Sequence, residues 1–192
     1  MDDMLVFRKV SLSLGKTPIL KDFDLTLKKG EHKVIMGPSG CGKTSVLRLA
    51  AGLLKPDHGR VIRNADKVSM QFQEPRLIPW LTAAENINLV LSDSKTTMDQ
   101  AIAWLHEVGL AEAAHKLPGE LSGGMAQRVA LARAMAFGGE LYLLDEPFRG
   151  LDQSLRDEMI ALVKKHTQGA SLLLVTHDMA VAEQFGGASV TF

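Results

Sequence analysis

The chain has 192 residues, of which 46% are hydrophobic, so it is long enough to bury one substantial core. Its 22 Lys and Arg side chains balance its 22 Asp and Glu side chains, which gives a formal net charge of zero. This balance gives no electrostatic reason to expect a nucleic-acid partner, although a local basic patch would be compatible with it. We predict a single domain over residues 1–192 and no nucleic-acid partner.

The single cysteine and the amino-terminal residues indicate a cellular compartment. Cys41 has no cysteine with which to form an intrachain disulfide, which fits a reducing environment. Asp2 and Asp3 stand where a secretion signal carries positive charge, and no apolar run approaches the roughly 18 residues of a membrane span. The sequence therefore predicts a cytoplasmic protein whose membrane contacts go through a partner.

The opening segment, from Leu5 to Leu27, differs from the rest of the chain. Apolar and polar residues alternate there over short stretches, which is typical of antiparallel strands, and Gly15 lies at a turn between two of them. We therefore predict a small antiparallel β region at the start of the chain.

Four later apolar segments each run directly into a polar or glycine-rich motif. They are residues 33–36 before Gly37, 68–72 before Gln73, 141–144 before Asp145, and 172–175 before Thr176 and His177. Short continuous apolar runs suit strands that are covered on both faces, as in a parallel sheet packed between helices. Because ligands bind at the carboxyl ends of such strands, we expect the four motifs to converge on one crevice.

The first of these motifs fits the phosphate-binding pattern G-x-x-x-x-G-K-[ST]. Its residues, all predicted to bind a nucleotide, are Gly37, Pro38, Ser39, Gly40, Cys41, Gly42, Lys43 and Thr44, with Ser45 following. The glycines allow several N–H groups to point inward, and the helix predicted after the loop adds the positive end of its dipole. Lys43 would then contact the β and γ phosphates and the Thr44 hydroxyl would bind Mg²⁺. A chance glycine-rich turn is disfavoured because an apolar strand precedes the loop and a helix-forming run, 46–51, follows it.

The middle of the chain, from about residue 74 to residue 136, is predicted to be mostly helical. Apolar residues at helical spacing indicate one buried face, and they are Met98, Ile102, Leu105 and Val108. The sequence Leu117-Pro118-Gly119 then interrupts the helical pattern.

A second motif, Leu121-Ser122-Gly123-Gly124, follows this break. Ser122 is a good helix N-cap, and the two glycines would expose backbone N–H groups at the start of a helix from Met125 to Ala136. Taken alone, the segment would be an ordinary capped helix.

The third motif is the pair Asp145 and Glu146 at the end of an apolar segment. Asp145 could hold Mg²⁺ through water, and Glu146 could orient and deprotonate an attacking water. A polar strand exit is the simpler interpretation of these two residues alone, but the phosphate loop favours the metal site.

The order of these motifs resembles that of the ATP-binding subunits of ABC transporters. The run from Leu121 to Ala134, L-S-G-G-M-A-Q-R-V-A-L-A-R-A, is similar to the signature helix of that family and lies between the phosphate loop and Asp145. The resemblance covers Leu5 to about Ala182. It implies an α/β fold: a P-loop NTPase core with a mostly parallel sheet, an N-terminal antiparallel β subdomain, and a helical signature subdomain inserted at about 74–136.

The resemblance also implies roles for individual residues. Ser122, Gly123, Gly124 and Met125 would contact the ATP of a second subunit in a head-to-tail dimer. Gln73 would reach the metal and report to the membrane subunit, Asp152 would link the two sites of the dimer, and His177 would contact the γ-phosphate.

In this family an aromatic side chain near the N-terminus stacks on adenine. The corresponding position here is aligned with Leu14, which offers apolar contact with less stacking. Phe7 is the alternative if the register differs.

These roles imply an ATPase that uses Mg²⁺ and drives a solute across a membrane. Its partners would be integral membrane permease subunits, a second ATP-binding subunit that is identical or a paralogue, and a solute-binding protein, with the chain on the inner face of the membrane. The wording Q-F-Q-E-P-R-L-I-P-W, residues 71–80, most resembles importers of the nitrate, sulfonate and taurine group. Two alternatives are a soluble ABC-type ATPase of DNA repair or translation and a nucleotide-binding module that no longer hydrolyses ATP.

Trp80 lies between apolar neighbours in this same stretch. It either lines a groove for a short helix of the permease or belongs to the core of the helical region.

Overall fold

The structure is a computed structural model that describes residues 3–91, 97–187 and 190–191. The chain divides into two compact units, each built from separate stretches of sequence. The first unit comprises 1–70, 139–146 and 167–192, and the second comprises 71–138 and 147–166. The second unit thus contains the predicted helical region together with a later segment that the sequence pattern did not assign to it.

The described part of the chain contains eight strands and six α-helices. The strands are β1 (Asp3–Leu14), β2 (Thr17–Lys28), β3 (His32–Met36), β4 (His58–Arg63), β5 (Val68–Gln71), β6 (Leu141–Asp145), β7 (Ser171–Val175) and β8 (Val190–Thr191). The helices are α1 (Lys43–Ala50), α2 (Ala83–Asn88), α3 (Thr97–Glu107), α4 (Gly123–Phe137), α5 (Gln153–His166) and α6 (Met179–Gln184). Single 3₁₀ turns occur at Ala111–Ala113 and Pro118–Glu120.

The predicted antiparallel region is confirmed as a three-stranded sheet of order β2-β1-β4. β1 and β2 form a hairpin in which Leu14 pairs with Thr17. Gly15 lies at the turn with a φ of 63°, a conformation that costs other residues strain. β4 pairs antiparallel with the other edge of β1.

The predicted parallel sheet is also confirmed, with the order β5-β6-β7-β3-β8. β6 pairs parallel with β7, and β3 pairs parallel with both β7 and β8. Every residue of β6 and β7 is buried, which explains their uninterrupted apolar sequences. The carboxyl ends of these three parallel neighbours, β6, β7 and β3, therefore lie at one edge of the sheet.

The core of the first unit packs α1 together with both of its sheets. The buried residues that α1 contributes are Val46, Leu47, Leu49 and Ala50. They join apolar side chains such as Leu5 of β1, Ile35 of β3 and Leu143 of β6. This packing fixes where α1 begins, directly after the loop that leaves β3.

In the second unit, α2 packs against α3 and α4, and α3 packs against α4. The prediction for the buried face of α3 is partly wrong: Leu105 and Val108 are fully buried, but Met98 is 39% exposed. Met98 lies in the first turn of α3, and the periodicity identifies the face of a helix without showing how far along it the packing extends. None of the helices among the described residues combines the length and the apolarity that crossing a bilayer requires.

Candidate nucleotide site

The phosphate-loop sequence forms a tight loop between β3 and α1. Gly40 and Gly42 have φ values of 82° and 109°, which L-amino acids with a side chain rarely adopt. Gly42 is the N-cap of α1 and no side chain caps this helix. The first N–H groups of α1 are therefore available to an anion, and the helix dipole favours negative charge at the same place.

Lys43 lies across the loop that precedes it. Its ammonium donates hydrogen bonds to the carbonyl oxygens of Gly37 and Pro38, both at 2.7 Å, and the residue is only 8% exposed. Pro38, Ser39 and Gly40 are exposed, whereas Ser45 is buried. The loop thus presents its exposed turn and a positive charge at the start of α1.

Thr44 and Asp145 meet at the carboxyl edge of the parallel sheet. The Thr44 hydroxyl donates to Oδ2 of Asp145 at 2.7 Å. Burial raises the pKa of Asp145, and the neighbouring charge of Glu146 raises it further, while the Thr44 hydrogen bond acts in the opposite direction. A cation at this position would offset the cost of burying the carboxylate.

The donor chemistry of this pair fits Mg²⁺. A hydroxyl and a carboxylate are hard oxygen ligands, and Mg²⁺ binds to few protein groups while keeping several waters. Among the described residues, no three His, Cys, Asp or Glu side chains cluster as a metal-binding group. A small oxygen donor set that leaves room for waters and phosphate oxygens is what a nucleotide-bound Mg²⁺ requires.

Glu146 follows Asp145 in a strained conformation. Its φ is 48°, which costs a non-glycine residue on the order of 1–3 kcal/mol. The strain is held in place because its N–H donates to the carbonyl of Val175 in β7 at 2.9 Å. Because this φ lies outside the β region, Glu146 does not continue the alternation of side chains along β6. The residue is 8% exposed.

His177 contacts Glu146 directly, a pairing that the sequence did not predict. Nδ1 of His177 lies 2.7 Å from Oε1 of Glu146. Because an ionised carboxylate can only accept, this nitrogen carries the hydrogen and Nε2 becomes the outward nitrogen of the ring. The buried Thr176 hydroxyl donates to Oε2 of Glu146 at 3.4 Å and also accepts from the N–H of Asp178. The sequence identified Thr176 only as the residue that follows a strand, and no motif predicted its hydrogen bond to Glu146.

In the second unit, Ser122 caps α4 as predicted. Its hydroxyl accepts a hydrogen bond from the N–H of Met125 at 3.2 Å. Gly123 and Gly124 form the first turn of α4, and a Cβ added to Gly124 would lie 3.6 Å from the carbonyl of Gly150. The amino terminus of this helix therefore lies beside the segment that leads to Asp152.

Asp152 and Gln73 have different surroundings. Oδ1 of Asp152 accepts from the N–H of Leu155 at 3.0 Å, so this side chain caps the start of α5. Gln73 is exposed two residues after β5.

The predicted site residues accordingly fall into two groups, one in each unit. The group of the first unit is the phosphate loop with Ser45, residues 37–45, together with Leu14, Asp145, Glu146 and His177. The group of the second unit is Gln73, Ser122, Gly123, Gly124, Met125 and Asp152.

The alternative prediction, that Phe7 stacks on adenine, is wrong. Phe7 is 1% exposed and packs edge-to-face on Phe23 with ring centroids 5.7 Å apart, so it belongs to the core. Leu14, at the end of β1, is 49% exposed and can offer apolar surface.

A strand, a glycine-rich loop, a helix N-terminus and a buried carboxylate at the end of another strand of the same parallel sheet define a P-loop nucleotide-binding protein. Residues 20–149 match the family model described as ABC transporter. The chain belongs to this family.

Curated relatives and solved structures agree with this assignment. The chain is 43% identical over 187 residues to the aliphatic sulfonates import ATP-binding protein SsuB 3 of Pseudomonas savastanoi pv. phaseolicola, an alignment that covers 93% of this chain and 68% of that protein. It is 41% identical over 182 residues to SsuB 1 of Agrobacterium fabrum, covering 92% of this chain and 66% of that protein. The chain thus spans about two thirds of the length of these relatives.

Among solved structures, the dimeric post-hydrolysis state of the ATP-binding cassette MJ0796 bound to ADP and Pi superimposes with a TM-score of 0.86 at 33% identity. The match covers 94% of this chain and 91% of that one.

Cys41 provides a chemical test of the phosphate loop. Its Sγ lies 3.8 Å from the ammonium of Lys43, and the side chain is partly accessible. We expect N-ethylmaleimide to block ATP binding by placing a bulky group in the loop, and ATP to slow the modification. A fluorescent ATP analogue and mass spectrometry measure the two effects, with Cys41→Ser as the resistant control. Full modification with unchanged ATP binding would contradict the placement of ATP in this loop.

Proposed function

We propose that this chain is the ATP-hydrolysing subunit of an ABC importer, located in the cytoplasm and held on the inner face of the membrane by the permease. The observation that carries the proposal is the pair formed by Glu146, buried and strained, and His177, directly beside the Thr44 and Asp145 pair. A carboxylate held in a strained conformation and oriented by a histidine is suited to activating a water.

The phosphates of ATP bind to the loop between β3 and α1. The N–H groups at the start of α1 and the ammonium of Lys43 stabilise their negative charge, with Lys43 exchanging its two carbonyl acceptors for phosphate oxygens. Thr44 and Asp145 would hold Mg²⁺, which would offset the negative charge of the phosphates.

Glu146 acts as the general base for hydrolysis. Its carboxylate orients the attacking water and accepts its proton. His177 fixes the carboxylate through Nδ1, and its exposed Nε2 is free to donate to the γ-phosphate when the ring is protonated.

A second ATP-binding subunit completes each site. The start of α4, with Ser122, Gly123, Gly124 and Met125, binds the ATP of the partner subunit through the N–H groups of the two glycines, since the N–H of Met125 already donates to Ser122. Asp152, which follows this turn in the same unit, is proposed to link the two sites of the dimer. Gln73 is proposed to reach the metal and to report to the permease. Loss of the γ-phosphate removes contacts that exist only in the closed dimer, so the dimer opens after hydrolysis. The solved dimer of a similar cassette with ADP and Pi supports this sequence of states.

The transported solute is proposed to be an aliphatic sulfonate. Both relatives described above carry import of aliphatic sulfonates in their names. The permease and a solute-binding protein select the solute, because the residues described here bind phosphates.

Trp80 is proposed to contact the permease. The side chain is 75% exposed, so the interpretation of Trp80 as a core residue is wrong. Trp is enriched among the hot-spot residues of protein interfaces, whose truncation costs about 2 kcal/mol or more. We expect Trp80→Ala to abolish most sulfonate uptake. The basal ATPase rate of the purified chain is expected to stay within twofold of the unmodified chain, a change of about 0.4 kcal/mol in free energy.

Two measurements check this expectation, uptake of radiolabelled ethanesulfonate by vesicles containing the complete transporter and phosphate release by the purified chain. Leu53→Ala, which removes an apolar side chain that is 57% exposed in the first unit, is the matched control. A loss of folding in Trp80→Ala would contradict a partner-binding role. The same measurements test the proposed function: a chain that hydrolyses no ATP with Mg²⁺ and supports no uptake would overturn it.

A further inference from the structure

The loop from 74 to 82, between β5 and α2, is held by two side chains, Asn86 and Arg133, to which the sequence assigned no role. It contains both Pro75 and Pro79, which lack an N–H, and Arg76 adopts a φ of 46°. Within the loop itself, Leu81 donates to the carbonyl of Ile78 at 3.2 Å. Most of its other described main-chain hydrogen bonds go to Asn86 and Arg133.

Asn86 satisfies one end of the loop from a fully buried position, with 0% exposure. Its Oδ1 accepts from the N–H of Ile78 at 2.7 Å. Its Nδ2 lies within hydrogen-bond distance of three carbonyl oxygens, at 3.2 Å for Ile78, 2.9 Å for Leu81 and 3.0 Å for Thr82. The donation by Ile78 fixes which amide atom is oxygen, so the side chain fits this loop in one orientation only.

Arg133 satisfies the other end from the middle of α4. Its Nη2 donates to the carbonyl of Pro75 at 2.9 Å, and its Nη1 donates to that of Arg76 at 3.1 Å. Nη1 also lies 3.5 Å from Oδ1 of Asn86, which joins the two side chains. Across the described residues no carboxylate forms an ion pair with Arg133, so the guanidinium fork is used on main-chain carbonyls.

The two ends of the loop carry the residues to which the proposed function assigns communication. Gln73 lies immediately before it, and the Arg76 guanidinium stacks over the ring of Phe72, the neighbour of Gln73, at 4.1 Å from the ring centroid. Trp80 lies in its second half, next to the carbonyls that Asn86 holds. If the loop is rigid, a displacement of Gln73 also displaces Trp80; if the loop is flexible, the displacement is lost within it.

We propose that Asn86 and Arg133 are positioning residues for energy coupling, which hold the loop rigid so that Gln73 and Trp80 move together. The inference rests on the proposed function for its consequence in transport, but the rigidity of the loop is measurable on the isolated chain.

The first test uses Arg133→Lys, which keeps the charge and loses the planar fork that reaches two carbonyls at once. In a Trp104→Phe background, Trp80 is the only Trp of the chain, so time-resolved fluorescence anisotropy reports its local motion. We expect the amplitude of this motion to rise in Arg133→Lys and also in Asn86→Asp, which is isosteric and loses the Nδ2 donors.

The matched control is Arg128→Lys. Arg128 lies on the same helix and also donates to main-chain carbonyls, at 2.9 Å to Val108 and 3.4 Å to Gly109, outside the loop. Its substitution is expected to leave Trp80 anisotropy unchanged. Unchanged Trp80 motion in Arg133→Lys and Asn86→Asp, or an equal rise in Arg128→Lys, would overturn the inference whether or not the chain drives import.

The second test is a double-mutant cycle on uptake. Arg133→Lys is expected to lower uptake roughly two- to thirtyfold, the range that coupling residues cover, with the Kd for ATP unchanged. If Arg133 acts through Trp80, adding Arg133→Lys to Trp80→Ala causes no further loss. Additive losses would show a merely structural effect and overturn the inference. A chain that binds ATP and supports no uptake at all would instead overturn the proposed function, and the anisotropy result would still decide the inference.

Discussion

Replacing Glu146 by Gln is expected to lower ATP hydrolysis by roughly 10²–10⁴-fold, the contribution typical of a positioned general base, while ATP still binds. The amide has the shape of the carboxylate, and its oxygen can still accept from Nδ1 of His177 at the 2.7 Å seen for Glu146. It cannot take a proton from water. The phosphate loop is untouched by the substitution, so binding and hydrolysis are expected to separate.

The same variant is expected to accumulate as a dimer with ATP and Mg²⁺. If hydrolysis opens the dimer, a chain that binds ATP without cleaving it remains in the closed state. Light scattering with and without ATP measures the association, and phosphate release measures the chemistry. Glu183→Gln, an exposed carboxylate on α6, is the matched control and should behave as the unmodified chain.

The outcomes of this experiment separate the parts of the proposal. Hydrolysis within tenfold of the unmodified chain would remove Glu146 from the role of general base. An ATP-bound monomer would indicate that the partner cassette is a different protein or that the membrane subunits are needed for closure. Failure of the unmodified chain to bind ATP would contradict the site altogether.

The parallel sheet and the residues at its edge were predictable because a single physical requirement determines both. Strands buried on both faces must be apolar throughout, and parallel strands place their carboxyl ends at one edge. The segments that become β3, β6 and β7 are therefore visible in the sequence, and the motifs that follow them are brought together in the first unit.

Contacts between side chains at that edge were not predictable. The pairing of Glu146 with His177 depends on the φ of 48° at Glu146, which is set by a hydrogen bond to β7 and not by a local preference. Asn86 is a second example, since an Asn in a helix is usually exposed and its burial follows from a loop that folds over it. Arg133 lies 47 residues from Asn86, beyond the reach of any local pattern.

The burial of individual apolar residues on one strand was also not predictable from the sequence. Phe7 and Leu14 lie on the same strand, and only the register of the hairpin decides that Phe7 is in the core and Leu14 at the exposed end. The assignment of 147–166 to the second unit likewise depends on long-range packing, such as the ring contact between Trp104 and His166 at 4.5 Å.

Replacing Gly42 by Ala is expected to weaken ATP binding by at least about tenfold, or ~1.4 kcal/mol, and to destabilise the fold. With φ at 109° the new methyl group adds strain, and its Cβ would lie 2.9 Å from Cγ2 of Ile19 and 3.3 Å from the Ile19 carbonyl. Ile19 is β-branched and lies in β2, so neither atom can move far without shifting the strand. The alternative is a displacement of the loop, which would take the first N–H groups of α1 away from the phosphates.

Gly15→Ala separates this effect from backbone strain alone. Gly15 also has a positive φ, 63°, but a Cβ there would meet no atom within 4 Å. We expect it to cost about 1–2 kcal/mol of stability, as left-handed residues do, with ATP affinity unchanged. Calorimetric titration of ATP and thermal unfolding, measured on both variants, decide the matter. If the two variants bind ATP equally well, the close approach of Ile19 does not shape the loop, and the amino terminus of α1 is not the group that holds the phosphates.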